Sequence, residues 1–366
     1  MKKIFIPLMT VAVVAALLLG GCMPGAPPEA PPPEEVEPIK IGLVFPYSGM
    51  FGGSAWEGDY GCELAAEDIN ARGGVLGRPV EFLPYDVVNW ETEKLVAARE
   101  YLLAEGVDAF DTLFGVEGLI TVFGVPDVGG RPCLQYHTTE PFAELIAADL
   151  DTYWNQVSYD DTGRNYGPHA YVGYTKIIPE EFGYDYEEHA SKTVAILTSD
   201  LAYSLDISAR FRALIAADPE WEEVYYSEFT FGGTEFGAQL AEIRALEPEP
   251  GLIMFFEVST AGSAAFVMQF LSDPTNSIVH IQWGMSDSAF HEELGQAAEG
   301  ICGQGQPVSN PTREFAEFEK RFWDRFGWLC VGSGASLYDR WMGWAEAVET
   351  VGDVTDYRAI VDELIR

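Results

Sequence analysis

Short apolar runs alternate along the chain with segments whose apolar positions recur every three or four residues. The first example is an apolar run at Ile39–Phe45, a loop rich in glycine and serine, a helical pattern at about 56–71 and a second apolar run that ends at Asp86. Such an alternation is typical of a βαβ unit. In an open parallel sheet, ligands bind at loops that follow the carboxyl ends of strands, so the loop Pro46–Ala55 is the first candidate binding surface.

The alternation of strand and helix patterns continues to the C-terminus. Further strands are predicted at 109–114, 132–136, 153–157, 193–197, 223–229, 252–256, 278–283 and 300–304. Further helices are predicted at 91–105, 204–217, 235–246, 261–271, 313–326, 335–351 and 356–365. Because 366 residues exceed what one hydrophobic core usually supports, we expect an α/β protein with two doubly wound parallel-sheet lobes.

The first 38 residues are predicted to lie outside the fold. A basic start precedes an apolar stretch, and Leu19-Gly20-Gly21-Cys22 resembles a bacterial lipobox, in which the cysteine becomes the lipid-modified first residue. We therefore expect a lipoprotein signal peptide at 1–22, with Cys22 lipidated, and a proline-rich tether at 23–38. No later run is apolar enough to span a bilayer, so we expect an extracytoplasmic protein held to the cell membrane only by its lipid anchor.

The chain is strongly acidic, with a formal net charge of −37 and a sequence pI of about 4.2. That charge opposes binding to nucleic acid or to an anionic membrane surface. The excess of acids indicates either adaptation to salty surroundings or a solvated acidic exterior.

Four cysteines follow Cys22. An exported compartment permits disulfides, so the pairs Cys302–Cys330 and Cys62–Cys133 are both open, with buried thiols as the alternative. None of these cysteines has CxxC spacing and the five histidines show no HxxxH pattern, so we expect neither a metal site nor a cofactor.

Motifs of the common enzyme classes are absent, including the GxSxG elbow, the P-loop, HExxH and GxGxxG. The 58 acidic residues make any chance pair of carboxylates uninformative about acid–base catalysis. An exported hydrolase would need a nucleophile beside a base, which the sequence does not present. We therefore expect a binding protein and not an enzyme.

Polar groups suited to a small ligand follow several of the predicted strands. They are the main-chain N–H groups of Gly115–Gly118, the hydroxyls of Thr138 and Thr139, Tyr203, and Glu257. Hydroxyl and N–H groups bind a carboxylate well, and an opposing Glu binds an ammonium group. Each residue has a structural alternative, since the threonines can cap a following helix, Tyr203 can pack in the core and Glu257 can be a surface acid.

Four tryptophans either line an aromatic cleft or belong to a partly buried core: Trp56, Trp90, Trp154 and Trp283. Trp56 directly follows the first loop, so it is counted among the candidate ligand-binding residues.

Motifs spread along the chain match one known family. They are Pro46-Tyr47-Ser48-Gly49, Gly61, Leu64-Ala65, Asp68-Ile69-Asn70-Ala71-Arg72-Gly73-Gly74-Val75-Leu76-Gly77, Asp86, Gly130-Arg131-Pro132, Asp200, Ala202-Tyr203, Ala298-Glu299-Gly300 and Tyr338-Asp339. With these residues the chain resembles the type I periplasmic binding proteins of ABC transporters, specifically the branched-chain amino-acid (leucine/isoleucine/valine) group.

The resemblance implies a clamshell of two lobes joined by a multi-strand hinge. Residues 39–155 and 305–350 would form the first lobe and 156–304 the second, with 351–366 as a candidate addition to the second. We expect the last strands of the family to be missing. The resemblance also implies that a solute is captured outside the cytoplasm and delivered to an ABC permease.

The resemblance further implies roles for individual residues. In the family, hydroxyls and main-chain groups of the first lobe hold the ligand's α-carboxylate, and a tyrosine and an acid of the second lobe complete the site. Thr139 would provide the hydroxyl, His137 a main-chain carbonyl and Tyr203 the closing tyrosine. The acid that meets the ammonium group would be either Glu257 or Asp287.

One segment departs from the family pattern. Gly118 and Leu119 lie where the family often has a serine, so one hydroxyl for the carboxylate is missing. The expected ligand is a branched-chain type of amino acid or a related small carboxylate, and the tryptophans leave room for an aromatic one. The alternative function is a ligand-binding sensor for amides or aromatic acids that acts through a partner protein.

Overall fold

The structure is a computed structural model that describes residues 36–115, 122–123, 131–138, 153–157, 159–303, 312–330 and 332–366. Residues Glu37–Arg366 form one compact unit. Two parallel β-sheets, each flanked by helices, form two lobes within this unit. The expected α/β class with two parallel-sheet lobes is confirmed.

The first lobe is built on strands β1 Ile39–Phe45, β2 Val80–Asp86, β3 Ala109–Asp111, β4 Phe114–Gly115, β5 Cys133–Thr138 and β6 Tyr153–Val157. Neighbours follow the path β2-β1-β3-β5-β4, β6 also pairs with β5, and every pairing is parallel. β1 is buried apart from Lys40 because it lies between β2 and β3. Pro84 is tolerated in β2 because an edge strand need not donate from every residue.

The second lobe is built on strands β7 Thr193–Ser199, β8 Glu222–Phe229, β9 Leu252–Phe256, β10 Ile278–Ile281 and β11 Cys302–Gly303. The strand order is β11-β10-β9-β7-β8, again with parallel pairings. Every residue of β9 is buried, as its apolar sequence LIMFF and its central place in the sheet require.

Helices connect the strands and cover both sheets. They are α1 Gly52–Ala71, α2 Thr92–Ala104, α3 Tyr159–Val172, α4 Ile178–Phe182, α5 Tyr186–His189, α6 Ala202–Ala217, α7 Gly237–Arg244, α8 Thr260–Leu271, α9 Ser288–Leu294, α10 Arg313–Phe326, α11 Ser333–Val351 and α12 Tyr357–Leu364. Helices α1, α2 and α10–α12 belong to the first lobe and the others to the second. Among the helices that the structure describes, none combines the length and apolar character needed to cross a membrane.

Helices α1 and α11 pack closely in the first lobe. A Cβ atom at Gly61 would lie 2.0 Å from the carbonyl oxygen of Gly334, so a larger residue at Gly61 would separate the helices. The buried Glu57 carboxylate of α1 accepts the N–H groups of Gly332 at 2.7 Å and Gly334 at 3.0 Å. The carboxylate also lies at the N-terminal end of α11, where the positive end of the helix dipole stabilises a negative charge.

The C-terminal segment packs on the first lobe. Val354 and Ile360 are buried in the same core cluster as β1, and α12 contacts α11. The option that 351–366 joins the second lobe is therefore wrong, because the apolar face of α12 covers first-lobe residues.

The cysteines that the structure describes are free thiols. Cys330 packs with Leu64 and Phe322 of the first lobe, whereas Cys302 lies in β11 of the second lobe. The proposed Cys302–Cys330 pair is therefore not formed. Cys62 and Cys133 are both buried in the first-lobe core as free thiols, in agreement with the buried-thiol alternative. Desolvation raises the pKa of each thiol.

Candidate functional site

The loop after β1 is pinned to the loop after β2. The Asp86 carboxylate accepts both the N–H group and the hydroxyl of Ser48, and the Asn89 side chain accepts the N–H group of Met50 at 2.8 Å. Burial alone would raise the pKa of Asp86, but hydrogen bonds from Ser48 and from the Val88 N–H lower it below its ordinary value. A Cβ atom at Gly49 would lie 1.7 Å from the Val88 carbonyl oxygen, so only glycine fits.

Three non-glycine residues at this edge of the first sheet have positive φ angles. They are Val88 at 56°, Trp90 at 58° and Leu113 at 60°. The conformation of Leu113 is supported by its N–H bond to the Asp111 side chain at 2.8 Å. The Trp90 indole N–H donates to the Thr112 carbonyl at 3.4 Å. Such strained residues concentrate at functional sites.

Four aromatic rings meet where these loops face the second lobe. The Phe51 ring centroid lies 5.4 Å from Trp90 and 5.8 Å from Phe114, both in the first lobe. It also lies 6.4 Å from Phe231, which follows β8 in the second lobe. We call Phe51, Trp90, Phe114 and Phe231 the aromatic cluster. It offers an apolar, partly buried wall at the boundary between the lobes.

The facing wall of the second lobe is formed at the carboxyl ends of its strands. Glu257 follows β9 and is fully buried; its carboxylate accepts the N–H groups of Val258 at 2.8 Å, Ser259 at 2.7 Å and Gly232 at 3.4 Å. Burial raises the pKa of Glu257, and these hydrogen bonds lower it in part. Tyr203 lies at the start of α6 and is 3% exposed.

The two walls touch directly. The Ser54 hydroxyl, in the first turn of α1, donates to the Asp287 carboxylate of the second lobe at 3.1 Å. A Cβ atom at Gly53 would lie 2.2 Å from the other Asp287 oxygen. A Cβ atom at Gly232 would lie 3.0 Å from the Met50 side chain. The loop that the sequence marked as the first candidate surface thus meets the second lobe through its small residues.

Several predicted site residues do lie at these strand ends. His137 and Thr138 end β5, where their backbones pair with Phe114 and Gly115. Tyr203 and Glu257 lie at the corresponding edge of the second sheet. Their roles toward a ligand stay predictions. Cys22, Gly118, Leu119 and Thr139 lie outside the residues that the structure describes.

Two predicted site residues lie elsewhere or act differently. Trp56 is 43% exposed and packs between Tyr47 and Tyr60, about 200° around α1 from Ser54, so it faces away from the second lobe. Asp287 caps α9 through the Ala289 N–H at 2.9 Å while its second oxygen binds Ser54. Both of its oxygens accept bonds within the protein, one of them from the other lobe, so Asp287 joins the lobes, and its role toward an ammonium group stays a prediction.

Sequence reasoning missed Phe51, Ser54 and Phe231. Phe51 and Ser54 lie inside the glycine- and serine-rich loop that the sequence did single out. Phe231 precedes the Gly232-Gly233 pair, which is the only signal that its loop approaches another part of the chain.

A family model described as periplasmic binding protein matches residues 38–365. The chain belongs to the periplasmic binding protein family. The family resemblance drawn from the sequence motifs is therefore confirmed, and membership implies a location outside the cytoplasm.

The chain is also similar to individual members of this family. A Leu/Ile/Val-binding protein homolog 7 of Brucella suis biovar 1 is 28% identical over 122 residues, which are 33% of this chain and 28% of the relative. The matched region thus spans about a quarter of that relative's length. The substrate-binding protein LivJ from Streptococcus pneumoniae, in complex with isoleucine, has a TM-score of 0.72 at 18% identity, covering 90% of this chain and 88% of its own. A solute-binding protein from R. palustris, in complex with benzoate, has a TM-score of 0.69 at 19% identity. The match covers 89% of this chain and 85% of that protein.

Proposed function

We propose that this protein is the solute-binding component of an ABC importer and that it closes two lobes on an amino acid or a related small carboxylate. The observation that carries the proposal is the direct contact between the strand-end loops of the lobes, through Ser54 and Asp287 and through Phe51 and Phe231. Ligands of parallel α/β proteins bind at such strand ends. A ligand held there would bridge both lobes.

The lining supports a ligand with an apolar part. The aromatic cluster supplies ring faces from both lobes, and rings of this kind pack well against a branched aliphatic or an aromatic group. Isoleucine and benzoate, the ligands of the two similar structures, each combine such a group with one carboxylate. We assign the carboxylate to the hydroxyls of Thr138 and Thr139 and to Tyr203, and an ammonium group, where present, to Glu257.

Closure supplies the signal for transport. A ligand that contacts both lobes stabilises the closed state by the difference between its affinities for the closed and open states. The permease would then recognise the closed form. A lipid at Cys22 and the tether 23–38 would keep the protein at the outer face of the membrane, close to that permease.

A thermal-shift and calorimetry screen tests the proposal. Purified protein is titrated with isoleucine, leucine, benzoate and the neutral compounds isoleucinamide and benzamide. A carboxylate at about 100 times its Kd should add about 2.7 kcal/mol to the free energy of unfolding, and the matching amide should add less. If folded protein responds to none of the carboxylates, the proposed ligand class is wrong.

A further inference from the structure

Two polar side chains occupy one face of the second sheet at β10. His280 and Gln282 are two residues apart, so their side chains point to the same side, and both are fully buried. This side also carries Tyr174, which contacts the His280 ring, and Phe256 of β9. Gln282 directly follows β10, so it lies at the carboxyl end of the strand.

A chain of hydrogen bonds connects Tyr174, His280 and the Gln282 amide. The Tyr174 hydroxyl lies 2.9 Å from His280 Nδ1, and His280 Nε2 lies 3.3 Å from Gln282 Oε1. Burial lowers the pKa of His280 to about 4, so the ring is neutral and carries one N–H group at neutral pH. With the amide oxygen of Gln282 facing His280, Nε2 of the ring carries the proton and Nδ1 accepts from Tyr174.

This arrangement leaves the amide nitrogen of Gln282 on the side away from His280. Gln282 Nε2 is buried and has no hydrogen-bond partner among the residues that the structure describes. A buried donor without a partner costs about 1–3 kcal/mol, and native proteins rarely retain one without a reason.

The surroundings of Gln282 connect it to the boundary between the lobes. The next residue, Trp283, lies 6.0 Å from Tyr166. Trp283 and Phe231 pack against the second-lobe cluster that contains Tyr203. Phe51 of the first lobe packs against the same cluster. The face that carries His280 and Gln282 therefore extends to the aromatic cluster, where the lobes meet.

We propose that Gln282 is a specificity-determining residue, whose amide nitrogen donates a hydrogen bond to a carboxylate oxygen of the ligand held between the lobes. The inference rests on the proposed function and adds a residue to it. An N–H donor matches a carboxylate oxygen and mismatches an ammonium group, so Gln282 would contact the ligand's carboxylate from the second lobe, while the threonines contact it from the first lobe. Because the donor is neutral, it adds this selectivity without another buried charge.

Gln282→Leu tests the inference, with isoleucine and benzoate as probes. The variant removes the donor while keeping much of the side-chain volume. We expect the Kd of whichever probe binds the wild type to rise about 10- to 100-fold, the cost of one hydrogen bond to a charged group. The melting temperature without ligand should change little, because the loss of the unpartnered amide donor is offset by the loss of the acceptor for His280 Nε2–H. Gln282→Met repeats the test should Gln282→Leu fail to fold.

Two controls separate the inference from the proposed function. Gln282→Glu keeps the length but replaces the donor with an acceptor, so it should weaken probe binding at least as much as Gln282→Leu. An unchanged Kd in both folded variants would overturn the inference and leave the proposed function intact. Wild-type protein that binds neither probe would instead overturn the proposed function, and with it this inference.

Discussion

The surroundings of Asp59 in α1 shift the pKa of its carboxyl group. The Tyr47 hydroxyl donates to Asp59 at 3.0 Å, and both residues lie on the side of α1 that carries Trp56. Desolvation raises the pKa of Asp59 to about 6, although the bond from Tyr47 lowers it in part. An unfolded chain would hold this proton only up to about pH 4. The folded state therefore binds the proton more tightly across this interval.

The sign of the resulting pH dependence follows from linkage. Between pH 4 and pH 6 the folded state binds more protons at Asp59, so its contribution is greatest below pH 4 and is lost as the pH rises through about 6. Between pH 4 and pH 7 we expect the stability of Asp59→Asn to increase by about 3 kcal/mol relative to that of the wild type, measured by urea unfolding.

A second variant tests the cause. Tyr47→Phe removes the bond that lowers the Asp59 pKa, so the loss of stability should move to higher pH. His280 acts in the opposite direction, since its pKa is lowered to about 4 and its contribution is lost as the pH falls below about 6.5. Only the difference between variant and wild type therefore isolates Asp59. A difference that is flat from pH 4 to pH 7 would contradict the assignment.

At the scale of elements, a buried ion pair joins α11 to the first sheet. Arg340 donates to Asp111 at 2.6 Å, both side chains are fully buried, and the Trp341 indole N–H donates to the same carboxylate at 3.1 Å. Burial raises the pKa of Asp111, against the opposing effect of Arg340. Asp111 ends β3 and also binds the Leu113 N–H, so the pair supports the strained edge beside Trp90.

Arg340→Met should therefore be costly. It leaves an ionisable carboxyl buried without its cation, which typically costs about 3–5 kcal/mol. Chemical denaturation measures this loss directly. Arg358→Met is the control, since Arg358 forms a half-exposed pair with Asp362 in α12 and should lose no more than about 1 kcal/mol. Equal losses in the two variants would mean that the buried pair has no special role.

Elements were easier to predict than the contacts between them. Periodicity predicted β1, β6, β9 and α10 with their observed bounds, because each is a continuous apolar or amphipathic segment. The strand predicted at 109–114 is split into β3 and β4 because Leu113 turns to positive φ. Local patterns contain no information on a bond such as Ser54 to Asp287, whose partners are 233 residues apart. Candidate acids could be named, but their partners could not.

At the scale of the whole molecule, the lobes meet through a pair of contacts that depend on small residues. Asp287 is held by its cap to α9, so it presents one oxygen to Ser54 and the other toward Gly53. Asp287 also faces the N-terminal end of α1, where the helix dipole favours a carboxylate. In the proposed function, these contacts would favour closure before any ligand binds. The ligand would then need to add only part of the free energy that separates the open from the closed state.

Gly53→Ala tests this account of closure. The added Cβ atom would lie 2.2 Å from an Asp287 oxygen, so the lobes could not approach as observed, while alanine itself favours the α1 helix. We expect an unchanged or higher melting temperature without ligand, a larger radius of gyration by small-angle X-ray scattering, and a ligand Kd raised about tenfold or more. Gly343→Ala, also in a helix but with no atom within 4 Å of the new Cβ, is the matched control and should change neither the radius nor the Kd. If Gly53→Ala behaves like this control, closure does not depend on the contact between Gly53, Ser54 and Asp287.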